Sequence, residues 1–419
     1  MKLKRPLFAL LIVLGTALAA CDSGLDPPPD SGLQAVTLRP TQPSPTPGPA
    51  TPTPTVTPAP RACSDEEVAA ILRRVPAYRP DDSVFAVVVG NGFSVDGQPF
   101  MVRGVNYYPA SYPWQRFMLA DLNTIEQDFA RLKRAHANTV RLFLWHPPLF
   151  TCPGYGAVPD PDAIAWLDKV IRLASAHNLR VIMTLNHLPD LTDEPLYTTG
   201  ASAALAQTAY IVTRYRTEPT ILAWDLRDAG DADYTPPEGG GNAPFTREIV
   251  LDWLSRTAAA VRQIDPYHAI TAGWAHDSEA TIALVDVVSL QDVGLLDPGD
   301  LTLRERVAAL RAYTSKPLLL TATGISTAHI DEAGQAQRLR ETVRAAEGDQ
   351  LAGWLVWTMS DIAPESACWP DPCAVAVPDA NADAPDDPRL LFGLWRVDGT
   401  RKPAANAFDT LAGGSQAGP

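Results

Sequence analysis

The sequence predicts an α/β chain folded as a (β/α)8 (TIM) barrel entered through an N-terminal hairpin. Three observations carry that expectation. Eight short apolar runs, each too brief for a helix, recur between residues 84 and 413, and buried parallel strands read this way. Amphipathic helical periods separate the runs, which is the alternation that builds a parallel sheet. No Gly-rich phosphate fingerprint follows any run, which disfavours the competing open, doubly wound sheet. Eight strand-helix units close into a barrel instead.

In chain order, Lys2, Lys4 and Arg5 precede an apolar run from Leu7 to Ala20. The run is too short to span a bilayer and has the layout of a secretory signal. It ends Leu18-Ala19-Ala20-Cys21, which resembles a bacterial lipobox. That resemblance implies acylation of Cys21 and an exported protein held by lipid on the cell surface or a periplasmic face. An ordinary signal peptide with a chance Cys is the plainer alternative. Residues 22–60 hold 12 prolines among Thr, Ser and Gly, a composition that buries too little apolar surface to fold and makes an extended linker. Over residues 61–83, Ser64 and Glu67 form a capping-box pattern for a short helix ending before Pro76.

The barrel region, 84–413, opens on hairpin strands at Phe85 to Val89 and Phe93 to Val95, with turn signals at Asn91-Gly92 and Asp96-Gly97. The expected strands are Val102–Asn106, Thr139–Leu144, Val181–Leu185, Ile221–Trp224, Ala269–Ala272, Val285–Leu290, Leu318–Thr321 and Leu351–Trp357. Asn123 with Glu126 is read as a cap for a helix presenting Ile125, Phe129 and Leu132. The stretch from Asp162 to His177 places Ile164, Leu167, Ile171 and Ala174 on one stripe.

A formal charge of −14, from 48 acidic against 34 basic residues, argues against a nucleic-acid partner, because phosphate binding needs a basic face. A neutral sugar remains acceptable. Besides Cys21, the cysteines are Cys63, Cys152, Cys368 and Cys373. An even number in an exported chain suggests two disulfides. The short, Pro-interrupted spacing favours Cys368 with Cys373, leaving Cys63 with Cys152. A metal site is disfavoured, since no paired His or second C-x-x-C accompanies them; neither metal nor cofactor is called for, and a monomer is expected.

Met101 to Pro109 (M-V-R-G-V-N-Y-Y-P), Pro219 to Asp231 (P-T-I-L-A-W-D-L-R-D-A-G-D), Lys316 to Gly324 (K-P-L-L-L-T-A-T-G) and Phe392 to Phe408 follow one another in an order that resembles glycoside hydrolase clan A, the group holding family five cellulases and mannanases. The resemblance spans roughly residues 84 to 412. It implies a retaining mechanism, which needs two carboxylic acids about 5 Å apart, supplied in the clan by glutamates ending strands four and seven. Here Ala229 falls on the acid/base position and Ala322 on the nucleophile. Asp228 stands where relatives carry Asn, and Gln291 and Val293 where they often carry His and Tyr. A methyl group can neither protonate nor attack.

What the resemblance leaves is a sugar cleft. It assigns Arg141 to support of the nucleophile, with a buried ion pair as the competing role. His187 matches a residue lining the subsite where the bond breaks, against an ordinary structural His. Trp357 matches the Trp that stacks under the sugar. Trp145, Tyr107 and Trp274 lie near strand ends and are either cleft or core. Asp228, Asp292 and Asp361 lie just beyond strand ends and are the candidates for a relocated acid pair, although one methylene of misplacement costs about a hundredfold. Three functions follow: a degenerate barrel that binds β-linked carbohydrate, a hydrolase with relocated carboxylates, and a scaffold that binds a protein.

Overall fold

The computed structural model describes residues 63–152, 154–186, 196–236, 242–295, 300–367 and 387–414. Cys21, the linker, His187, Cys368 and Cys373 lie outside them. The eight barrel strands, numbered first to eighth here, are Val102–Asn106, Thr139–Phe143, Arg180–Thr184, Ile221–Asp225, Ala269–Thr271, Val288–Val293, Leu318–Gly324 and Gly353–Val356. All pair in parallel, in the order fifth, fourth, third, second, first, eighth, seventh, sixth. The remaining seam is drawn together by the Asp286 and Val287 amides, which both donate to the Ile270 carbonyl at 2.9 and 3.1 Å.

The sixth strand starts three residues later than its apolar run suggests. Asp286 and Val287 spend their amides on the fifth strand's carbonyl, and pairing then runs through the polar residues Gln291 and Asp292 to Val293 against the seventh strand. The helix at Leu122–Arg134 buries Ile125, Phe129 and Leu132 as its stripe requires, but its cap is Asp121, whose carboxylate accepts from the Thr124 amide at 3.3 Å. Asn123 already lies inside the first turn. The helix at Pro161–Ala176 is capped by Asp160. Ser64 and Glu67 complete a reciprocal capping box for Asp65–Arg74.

The hairpin gains a third strand: Ala86–Val89, Gly92–Val95 and Gln98–Phe100 form an antiparallel sheet. Its first turn is Gly90-Asn91, with Gly90 at φ 60°, rather than Asn91-Gly92. Ala86 and Phe93 pack on Val102, Ile182, Leu222, Val287, Leu319 and Leu355, sealing the N-terminal end of the barrel. The site is therefore sought at the opposite, C-terminal mouth. A disulfide joins Cys63 to Cys152, in the loop after the second strand. Tyr155 adds a hydrogen bond to Asp65 at 2.8 Å, so the first helix is fastened on the mouth side.

Candidate active site

Side chains of a parallel strand alternate in direction, so every second residue near a strand's end faces the barrel axis. On the first strand Asn106 faces in: its amide donates to the carbonyls of Thr321 and Val356, at 3.0 and 3.3 Å. Tyr107 must then face out and Tyr108 in. Tyr107 does so, donating to Asp128 at 3.0 Å and packing against Phe117 and Phe129 of the helical layer. It is not a cleft residue. The inward aromatic after that strand is Tyr108, buried, which stacks on Phe143 at 5.0 Å and meets the edge of Trp357 at 6.2 Å.

Asp128, Tyr107's partner, is buried deeply enough that desolvation raises its carboxyl to about 6, against the opposing pull of Arg131 and of the Tyr107 hydroxyl. A carboxyl raised on folding holds its proton more tightly in the native state. Its stabilising contribution is thus full below the ordinary carboxylate range and lost as pH rises through about 6. The expected result is that Asp128→Asn removes roughly 2 to 3 kcal/mol of pH dependence between about pH 4 and 6. Urea unfolding of both proteins across that window measures it.

At the centre of the mouth lies Arg141, fully buried on the second strand. Its Nε donates to Asp225 Oδ2 at 2.9 Å and its Nη2 contacts the same oxygen. Nη1 reaches Asn106 Oδ1 at 3.1 Å, and Nη2 also meets Asp228 Oδ1 at 2.8 Å. Thr184 adds a hydroxyl donor to Asp225 at 2.6 Å. Burial would lower the Arg141 guanidinium, but Asp225 and Asp228 hold it above its ordinary value. Burial raises Asp225 despite Arg141 and Thr184. Arg141 is thus the ion-pair partner of two aspartates, and of its two expected roles this is the one the geometry displays.

Asp225 was not among the sequence candidates. Its signal was present: a lone acid ending a buried run, opposite a lone Arg inside another buried run. Ionic residues survive such burial only when paired.

The two alanines share this end of the barrel. The Ala229 amide and the Gln291 side-chain amide both donate to the Gly273 carbonyl, at 3.0 Å each. Gln291 pairs in register with Ala322 on the seventh strand and donates to Asp228 at 3.0 Å. Ala322 is buried and Ala229 half-buried. Ala229 sits in the left-handed region, at φ 44° and ψ 42°. Gly230, the next residue, lies against Trp274, whose ring a Cβ there would meet at 2.5 Å. Trp274 is fully buried and donates to Tyr234 at 2.9 Å, so it shapes the turn from below and is not open to a ligand.

The other candidates separate by alternation. Asp292, neighbouring the inward Gln291, faces the helices and is held by Arg306 and Arg338, each at 3.1 Å. Asp361 accepts from Lys402 at 2.7 Å and from the Gly393 amide at 2.8 Å, fastening the closing turn. Neither is brought to the mouth. Asp228 is. Trp357 ends the eighth strand half-buried, edge-on to Tyr108 and Phe143, and Trp145 is buried beside the Tyr108 hydroxyl. Among the described residues, the mouth thus joins an aromatic wall to one partly open carboxylate, over a buried ionic floor.

No family model matches the chain. In sequence it is 24% identical over 225 residues to mannan endo-1,4-beta-mannosidase F of Aspergillus clavatus, covering 45% of this chain and 46% of the fungal protein. It is 27% identical over 222 residues to mannan endo-1,4-beta-mannosidase 8 of Oryza sativa subsp. japonica, covering 44% and 55%. The chain therefore spans about half the length of the curated relatives it matches. Among solved structures, the GH5_18 protein of Streptomyces cattleya in complex with GlcNAc superposes with a TM-score of 0.60 at 16% identity, over 77% of this chain and 82% of that one. At such identity the superposition speaks for the fold.

Proposed function

We propose, from the premise that this chain carries a glycoside hydrolase clan A, family-five-like barrel, that it is a catalytically degenerate member of that lineage which binds β-linked carbohydrate. The observation that carries the reading is the pair of methyl side chains, Ala229 and Ala322, joined through Gln291 and the Gly273 carbonyl at the mouth. Retention of configuration needs an acid and a nucleophile on opposite sides of the scissile bond, and both positions lack a carboxyl. The relatives' names make β-mannan or manno-oligosaccharides the first sugars to try. Trp357, half-buried at the mouth and backed by the buried rings of Tyr108 and Phe143, supplies the apolar surface on which a pyranose C–H face packs.

The test is calorimetric titration with β-linked manno- and gluco-oligosaccharides. At least one should give a saturable heat, and Trp357→Ala should weaken that binding by roughly 1 to 2 kcal/mol. No heat with any of them in the wild type would remove the reading.

A hydrolase with relocated carboxylates has one supporting observation, since Asp225 and Asp228 meet the same nitrogen of Arg141. Asp225, however, is fully buried and cannot touch a sugar carbon. The address belongs to the same proposal: the Leu18-Ala19-Ala20-Cys21 sequence supports an exported, lipid-anchored protein. Loss of labelled palmitate incorporation in Cys21→Ser would be expected, and unchanged labelling would contradict it.

A further inference from the structure

The antiparallel sheet that seals the N-terminal end of the barrel finishes on an unpaired strand. In the order Ala86–Val89, Gly92–Val95, Gln98–Phe100, the first strand is bonded on one side only. Gly90 and Asn91 make a two-residue turn, so the flanking pair Val89 and Gly92 exchanges both of its bonds, and Val87 with Ser94 is the next pair to do so. The amides and carbonyls of Ala86 and Val88 therefore point away from the sheet. Among the described residues, nothing bonds to them. Natural edge strands are blunted by lysine, proline or a bulge. From Ser83 to Val95 there is neither a charged residue nor a proline, and the pairing of Ala86–Val89 runs without a register shift. Its side chains are open as well. Ala86 turns into the seal, but Val84, Val87, Val88 and Val89 are exposed, and so is Tyr267, which stacks on Phe85 at 5.3 Å.

We infer that this edge is an interface between two copies of the chain, in place of the monomer expected from the sequence. An antiparallel pair of identical strands is its own complement under a two-fold axis. With that axis at Val87, Ala86 of one copy lies opposite Val88 of the other, and their outward amides and carbonyls satisfy one another in both such pairs. The two sheets join edge to edge, and Val87 faces its own counterpart. Charge selects the occupant. The chain carries a net −14, so two copies repel over most approaches, whereas this strip sets no ionised group against another. A strand of four residues keeps the association weak and reversible, since the contact falls below the standard interface size.

The test is sedimentation of the full chain carrying Cys21→Ser, which removes the candidate lipid attachment. Dimer should form at about 100 µM and dissociate on dilution, as small interfaces do. Val87→Lys sets two ammonium groups opposite each other and should weaken the association at least about tenfold. Leu72→Lys, at an exposed apolar position on the first helix, should leave it unchanged, and unfolding curves check that both variants fold. On the two-fold axis the Cα atoms of position 87 approach to roughly 4.5 Å, within reach of a disulfide. Val87→Cys should therefore cross-link under mild oxidation, whereas Val84→Cys, roughly 20 Å from its counterpart at 3.4 Å per residue, should not. A chain that stays monomeric at that concentration overturns the inference. So does association that a folded Val87→Lys leaves intact or that Leu72→Lys weakens equally, and so does cross-linking at 84 but not at 87. Binding to phosphatidylcholine vesicles that Val87→Lys abolishes, without any self-association, assigns the strip to a membrane surface and overturns it too.

Discussion

Arg141→Met is expected to destabilise the barrel by about 3 to 5 kcal/mol, because it leaves the fully buried Asp225 charge without its cation. The side chain links the first, second and fourth strands through Asn106, its own backbone and Asp225, so the loss falls on the closure of the sheet as well as on one pair. Methionine keeps much of the volume, which separates the electrostatic effect from a cavity. In the Arg141→Met background, Asp225→Asn should return a large part of the loss, since the second change removes the stranded charge. Denaturant unfolding of the four proteins in a double-mutant cycle gives the coupling directly. A cost below about 1 kcal/mol for Arg141→Met would mean that the pair is not the keystone its burial implies.

Replacing both alanines by glutamate, Ala229→Glu with Ala322→Glu, is expected to raise turnover well above that of the parent. The double variant should exceed either single variant by at least about a hundredfold, since one group without the other completes neither half of the displacement. The backbone does not oppose the change at 229: it already carries a Cβ at φ 44°, so a longer side chain adds little conformational cost there. Position 322 is tighter, being buried beside Gln291, and there Gln291 must yield. Release of the phenol from an aryl β-mannoside or β-glucoside measures the outcome, with unfolding curves confirming that the variants fold. An inert, folded double variant would show that these residues do not occupy the acid and nucleophile positions.

Most of the architecture was legible in the chain because a parallel barrel buries its strands on both faces and writes each as an unbroken apolar run. One departure, the late start of the sixth strand, arises where Asp286 and Val287 bond across the seam, and where the strand continues through Gln291 and Asp292, residues a composition argument assigns to a loop. The mouth was harder to read. Ala229 and Ala322 were found by motif, and the structure brings them together. Tyr107, read as either cleft or core, proves to be core, and Tyr108 was passed over because nearness to a strand's end was weighed without parity, and one residue decides which face a side chain takes. The same parity turns Asp292 toward Arg306 and Arg338 while its neighbour Gln291 enters the mouth. Asp225 was overlooked because an acid at the end of an apolar run reads as the start of a loop. Its matching Arg141, 84 residues earlier, is a pairing that only the closed barrel makes visible.

The most direct measurement is product analysis of the unmodified protein incubated at high concentration with manno- and gluco-oligosaccharides and aryl β-glycosides, from mildly acidic to mildly basic pH. If Ala229 and Ala322 stand at the acid/base and nucleophile positions, as proposed, the protein should release nothing above the buffer blank while still binding at least one of these sugars. Reducing-end product that accumulates with the wild type and disappears in Asp228→Asn would contradict the account, for it would show a working carboxylate at the mouth.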